Sequence, residues 1–171
     1  MTSMTTHERR IVVALLTFGI ASRLVPHPWN VTPMIAIALF GGAVLPRGWA
    51  LGLPVAIAAA SDVWLGWHTT LPFTWASFAL VAWLGQWLRR PAALRVAAGS
   101  VAASTVFFLV SNLGVWLVGG LYPATMEGLA ACFVAAVPFF RQMLIGDLIC
   151  TLALFGIAAF AGRVPAPVRV R

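Results

Sequence analysis

Charged side chains inside apolar segments are the first candidates for chemistry in this chain. Four residues interrupt such segments in this way: Arg23, Asp62, Arg141 and Asp147. An ionised side chain at the centre of a membrane span costs about 2.5–3.5 kcal/mol on insertion scales, so we expect these residues to face one another or water. Asn112 adds an amide within a further apolar segment. Both signs of charge and an amide can together anchor a small polar molecule.

Helical spacing places several of these polar residues on the same helix face as small and aromatic residues. Residues three or four apart share one face of a helix. Three faces are predicted in this way: Pro54, Ala58, Asp62 and Gly66; Thr105, Phe108, Asn112 and Trp116; and Phe140, Met143, Asp147 and Cys150. The first is a stripe of small residues that allows a helix or a ligand to approach closely.

Several kinds of catalysis are excluded by the residue types. The chain has no lysine, and so no Walker A motif, no Schiff-base lysine and no Ser-Lys dyad. It has no HExxH and no GxSxG motif. Cys132 and Cys150 lie in apolar segments without zinc-type spacing. We therefore expect no enzyme, no cofactor and no metal site.

The composition predicts an all-α integral membrane protein. Of 171 residues, 61% are hydrophobic and only 9% are charged, whereas soluble domains have roughly 25% charged residues. The mean hydropathy is +0.96. Proline, glycine and polar breaks predict six spans, namely Ile11–Val25, Thr32–Leu45, Trp49–Gly66, Phe73–Leu88, Leu94–Gly119 and Pro138–Gly162. A short external or re-entrant helix, Thr125–Val137, is predicted before the last span.

The arginines predict the orientation of these spans. Nine of the eleven lie on one side of the six-span arrangement: Arg9, Arg10, Arg47, Arg89, Arg90, Arg95, Arg163, Arg169 and Arg171. Because cytoplasmic loops are rich in arginine and lysine, both termini are expected in the cytoplasm. This predicts a cytoplasmic N-terminus at 1–10, one transmembrane domain at 11–162 and a basic tail at 163–171. Scattered arginines form no nucleic-acid-binding face, and the expected surroundings of the chain are a lipid bilayer.

The polar residues then collect in the external half of the bundle. Arg23, Asp62, Asn112 and Arg141 lie near outer ends of spans, and Asp147 lies nearer mid-membrane. The predicted binding residues are completed by outer-loop and aromatic side chains, namely His68, Trp64, Phe108 and Trp116. An apolar pocket with a few polar anchors is typical of small-molecule sites. The alternative is that the charges pair only to hold helices together.

Several spaced motifs carry a resemblance that covers about residues 20–155. They are Ser22-Arg23, Pro28-Trp29-Asn30-Val31-Thr32-Pro33, Ser61-Asp62 with His68, Ser111-Asn112-Leu113-Gly114-Val115-Trp116, Pro138-Phe139-Phe140 and Gly146-Asp147. Together they resemble a family of small, uncharacterised bacterial membrane proteins. That family is similar to the substrate-binding S components of energy-coupling factor (ECF) vitamin transporters.

The resemblance implies a six-helix protein of the bacterial inner membrane that captures a micronutrient from outside the cell. Asn30, within one of these motifs, completes the predicted binding residues. A separate transmembrane coupling subunit with two ATPases would drive release inward. S components usually dock through an Ala-xxx-Ala motif on the first helix, where this chain has Thr17-xxx-Ala21. A solitary component, as for vitamin B12, is the alternative, with His27 or His68 in place of a cobalt-binding cysteine.

Two other classes of protein remain open from the sequence. An ion- or proton-coupled permease or channel would use Asp62 and Asp147 as a relay, and it predicts activity in liposomes without ATPase partners. A structural membrane protein would use the charges only to pin helices. In that case Asp62→Asn lowers stability and abolishes no binding.

Overall fold

The computed structural model describes residues 4–26, 31–89 and 92–162. These residues form helices and no strand, which confirms the all-helical class. The helices are α1 (Thr6–Leu24), α2 (Met34–Val44), α3 (Arg47–Leu65), α4 (Leu71–Gly85), α5 (Ala93–Val118) and α6 (Met126–Phe160), and a 3-10 turn, Gln86–Leu88, extends α4.

Three of these helices are long and apolar enough to cross a membrane, namely α3, α5 and α6. They indicate a membrane protein. The helix α1 has 19 residues but carries Glu8, Arg9 and Arg10 near its start. The helix α2 has only 11 residues, about 16 Å at 1.5 Å per residue, or roughly half of a 30 Å hydrocarbon core. Length and composition thus identify three candidate spans in the described chain.

The break predicted before the last span is wrong. A single 35-residue helix, α6, runs through Pro138, so Thr125–Val137 is not a separate element. Proline removes one backbone hydrogen bond, but helices in membranes tolerate this loss. No glycine or turn residue adjoins Pro138 to end the helix there. At about 52 Å, α6 is longer than one hydrocarbon crossing.

The short helix α2 forms the centre of the bundle. Every residue from Met34 to Ala43 is buried, and α2 contacts each of the other five helices. A helix that is apolar on all faces is stable only when it is surrounded. The outer helices instead expose large apolar side chains such as Phe18, Leu109 and Ile149. This distribution is that of a bundle whose outer surface faces lipid.

Glycines bring α2 and α4 into backbone contact. A Cβ added to Gly42 would lie 2.8 Å from the Cα of Gly85 and would overlap the carbonyl oxygen of Ala82. Small residues at helix interfaces in membranes permit this close approach. The central helix is therefore held against α4 by two positions where only glycine fits.

The two ends of the bundle differ in charge. Residues 66–70 and 119–125 connect α3 to α4 and α5 to α6 without an arginine, and we name this the arginine-poor end. Arg47 at the start of α3 and Arg89 after α4 lie at the opposite end, which we name the arginine-rich end. Exposed tryptophans lie near both ends: Trp64 and Trp67 near the first, and Trp49, Trp83 and Trp87 near the second. Membrane proteins commonly carry such aromatic belts at the lipid headgroups.

Candidate functional site

A buried ion pair joins α1 to α3 near the arginine-poor end. Arg23 Nη2 lies 2.5 Å from Asp62 Oδ1, and the side chains are 14% and 2% exposed. The indole Nε1 of Trp75 donates a hydrogen bond of 2.8 Å to Asp62 Oδ2. Both carboxylate oxygens are thus satisfied, and Asp62 compensates the charge of Arg23.

A cavity of about 370 Å³ lies next to this ion pair. All six helices contribute side chains to it, so it exists only in the folded bundle. Its lining residues, which define the Arg23–Asp147 cavity, are Arg23, Thr32, Ile35, Leu65, Thr74, Phe78, Phe107, Met143 and Asp147. Its volume is within the range of small-molecule sites, and its wall is apolar with a few polar groups, as such sites usually are.

Asp147 supplies a buried carboxylate to this cavity. Its side chain is 2% exposed, and its Oδ2 accepts a 2.7 Å hydrogen bond from Ser104 Oγ on α5. No hydrogen bond to Oδ1 is found within the described ranges. Across those same residues the one ion pair is Arg23–Asp62, so Asp147 has no cationic partner there. A buried carboxylate with one oxygen free of hydrogen bonds and without a cationic partner is available to bind a ligand.

A row of buried hydroxyls continues from Asp147 along the α5–α6 interface. Ser104 Oγ lies 3.0 Å from the carbonyl oxygen of Ser100, and Ser100 Oγ donates to Thr151 Oγ1 at 3.2 Å. One turn further, the same helix faces carry Val96 and Phe155, which belong to the apolar core. The hydroxyl row therefore leads toward the arginine-rich end and stops at apolar side chains.

A second cavity of about 200 Å³ lies between α5 and α6. Its lining residues are Phe107, Phe108, Ser111, Asn112, Ala136, Phe139, Phe140 and Met143. Phe107 and Met143 border both cavities, so the two adjoin. The rings of Phe108 and Phe140 lie 4.6 Å apart, and the Asn112 amide donates to the carbonyl oxygen of Phe108 at 2.8 Å. Two predicted binding residues, Phe108 and Asn112, thus line the neighbouring cavity.

Other predicted binding residues lie away from both cavities. The Trp64 side chain is 74% exposed, and Arg141 is also exposed. Trp116 Nε1 donates to the carbonyl oxygen of Pro123 at 3.0 Å, which ties α5 to the following turn. His68 is exposed, with Nδ1 2.8 Å from Thr70 Oγ1. Asn30, with His27 and Trp29, lies outside the described residues.

Several residues of the site were not predicted from the sequence. Phe78, Phe107 and Thr74 line the Arg23–Asp147 cavity but are ordinary residues of apolar helices. Ser104 did carry a signal, because Ser100 and Ser104 repeat at the same four-residue spacing as Asp147 and Thr151. Two such polar pairs on successive helices predict an interhelical hydrogen-bond row.

Among the described residues, no three of His, Cys, Asp and Glu lie close enough together to hold a metal ion. Cys132 is buried, and its Sγ lies 3.5 Å from the carbonyl oxygen of Asn112. Cys150 is partly buried and is also a free thiol.

The helices and the cavity define the class of this chain as a helical membrane protein with a central cavity of small-molecule size. The chain belongs to DUF6580, a family of unknown function that matches residues 4–168. No curated protein and no solved structure matches the chain.

Proposed function

We propose that the chain is an integral membrane substrate-binding protein for uptake of a small, vitamin-like micronutrient. The Arg23–Asp147 cavity is the proposed binding site, with Phe78 and Phe107 as apolar walls. The ion pair of Arg23 with Asp62 forms its rim near the arginine-poor end. In this proposal the bilayer is the bacterial inner membrane, the bundle has six spans, and both termini are cytoplasmic.

The cavity is the observation that carries the proposal. It lies toward the arginine-poor end, which the positive-inside rule assigns to the outside of the cell. On the other side, Phe40 packs edge-on against Phe155 with ring centroids 5.2 Å apart, and both side chains are in the buried core. A cavity toward the outside, closed on the inner side by apolar side chains, suits a protein that captures a ligand but does not let it pass freely across the membrane.

Release to the cytoplasm then requires a partner. Without lysine the chain has no Walker A motif, so we propose an ECF-type coupling subunit with separate ATPases. Thr17 and Ala21 lie on α1, the helix through which S components usually dock. Both are exposed, and they form the docking face in this proposal.

The first test identifies what the folded protein carries. Mass spectrometry of small molecules released after gentle detergent purification is expected to find one compound at near-stoichiometric occupancy. In Asp147→Asn the occupancy should fall by about 10- to 100-fold, since hydrogen bonds to charged groups contribute about 1.5–3 kcal/mol.

The matched control is Glu127→Gln, which makes the same acid-to-amide change on α6 at an exposed position outside the cavity. It should retain the compound at wild-type occupancy. Folded wild-type protein without any specific compound would contradict the proposal. If Asp147→Asn retained the compound at wild-type occupancy, the binding site would not be this cavity.

An ion- or proton-coupled permease is the second candidate function. The hydroxyl row formed by Ser100, Ser104 and Thr151 favours it, because such a row can pass a proton from Asp147. Its end at Val96 and Phe155 favours the first proposal instead. Ion flux in liposomes that contain only this chain would distinguish the permease from a binding component.

A further inference from the structure

The charge on the cavity wall is unbalanced. Arg23 is compensated by Asp62, which lies 2.5 Å away. Asp147 has a hydrogen bond from Ser104 but no cation within ion-pair distance in the part of the chain that the structure describes. Of the charged side chains that line the cavity, Arg23 thus has a partner of opposite sign, whereas Asp147 has none among the described residues.

Resting on the proposed function, we propose that the ligand is an organic cation whose positive group binds Asp147. A carboxylate that is 2% exposed is removed from bulk water, and an opposite charge is its strongest compensation. Ser104 holds Oδ2, which leaves Oδ1 for the ligand. An anion in the same position would meet a like charge, so the cavity selects against it.

The aromatic walls support the same class of ligand. Phe78 and Phe107 both line the cavity, and their ring centroids lie 5.0 Å apart with the planes tilted by 37°. The negative faces of aromatic rings attract organic cations. The cavity volume of about 370 Å³ suits a small metabolite with a charged ring or ammonium group.

A bare metal ion fits the cavity less well. Hard cations take about six to eight oxygen ligands, whereas Ile35, Phe78 and Met143 cover much of this wall with carbon and sulfur. Arg23 also lines the cavity. The N–H donors that its guanidinium does not use with Asp62 can bind an oxygen atom of the organic ligand, at a distance from the positive group.

A panel of three matched probes tests the inference. The probes are 1-methylnicotinamide, a cation; nicotinamide, its neutral counterpart; and nicotinate, an anion. Binding is measured by calorimetry on the full chain in detergent after removal of bound compounds. The cation is expected to bind at least tenfold more tightly than the neutral probe, because a carboxylate attracts the positive ring and has no such attraction for the neutral one.

The variants assign the preference to one side chain. Asp147→Asn should reduce the ratio of cation to neutral affinity to about one, while Glu127→Gln should keep it. The comparison of the three probes on the wild-type protein needs no variant, so it tests the preference for a cation even if Asp147→Asn fails to fold. Equal affinity for all three probes, tighter binding of nicotinate, or no binding of the cation up to about 10 mM would overturn the inference.

The results that would overturn the inference of a cationic ligand differ from the result that would overturn the proposed function. If the compound that co-purifies with the wild-type protein is an anion or a neutral molecule, the inference is wrong and uptake of a micronutrient still stands. If the folded protein carries no compound, the proposed function itself is wrong.

Discussion

Asp62→Ala is expected to lower the free energy of unfolding by about 3–5 kcal/mol, the usual result of leaving one member of a buried ion pair unpaired. Arg23 would then keep its charge at a site where its side chain is only 14% exposed. Trp75 would also lose the acceptor of its indole N–H. Denaturant unfolding of the purified protein in detergent measures the change.

A double-mutant cycle separates the ion pair from the loss of a side chain. Arg23→Leu combined with Asp62→Leu should lose less stability than either single change, because no uncompensated charge remains. The exposed acid Glu127 in the first turn of α6 provides the control, and its replacement by alanine should lower stability by no more than about 1 kcal/mol. Additive single effects in the cycle would show that Arg23 and Asp62 do not stabilise each other.

Gly42→Ala is expected to cost about 3 kcal/mol, the upper part of the range for overpacking. The new Cβ would lie 2.8 Å from the Cα of Gly85 and would overlap a backbone carbonyl on α4. Backbone atoms cannot rotate away as a flexible side chain can. Since α2 contacts all five other helices, a shift of α2 would disturb the whole bundle.

Gly52→Ala is the matched control for this substitution. Gly52 lies within α3, and a Cβ there meets nothing within 4 Å. Alanine is the better helix former, so this variant should gain up to about 1 kcal/mol. Thermal unfolding of the two variants side by side measures the contrast. Similar behaviour of both would contradict the close contact between α2 and α4.

The helices could be predicted from the sequence because apolar segments end at proline, glycine or polar residues. That rule failed at Pro138, where apolar helix-forming residues on both sides continue α6. The burial of α2 could not be predicted, since Thr32–Leu45 is apolar on every face and nothing local tells lipid from protein. Its central position results from contacts with helices distant in sequence.

The polar part of the site was more predictable than its aromatic wall. The expectation that the intramembrane charges face one another holds for Arg23 and Asp62. Trp64 lies two residues after Asp62, or about 200° around the helix, and so must lie on the opposite face. Arg141 is about 120° from Asp147 on α6 by the same geometry, which explains its exposure. Phe78 and Phe107 meet only in three dimensions.

The most direct test of the account is an experimental structure of the protein loaded with its co-purified compound. We predict ligand density in the Arg23–Asp147 cavity, beside Phe78 and Phe107, with a polar atom within hydrogen-bond distance of the Asp147 carboxylate. A second site offers a clear contrast, a groove of about 220 Å³ near His7 and Arg10 at the arginine-rich end. Density only in that groove, with the Arg23–Asp147 cavity empty, would contradict the account.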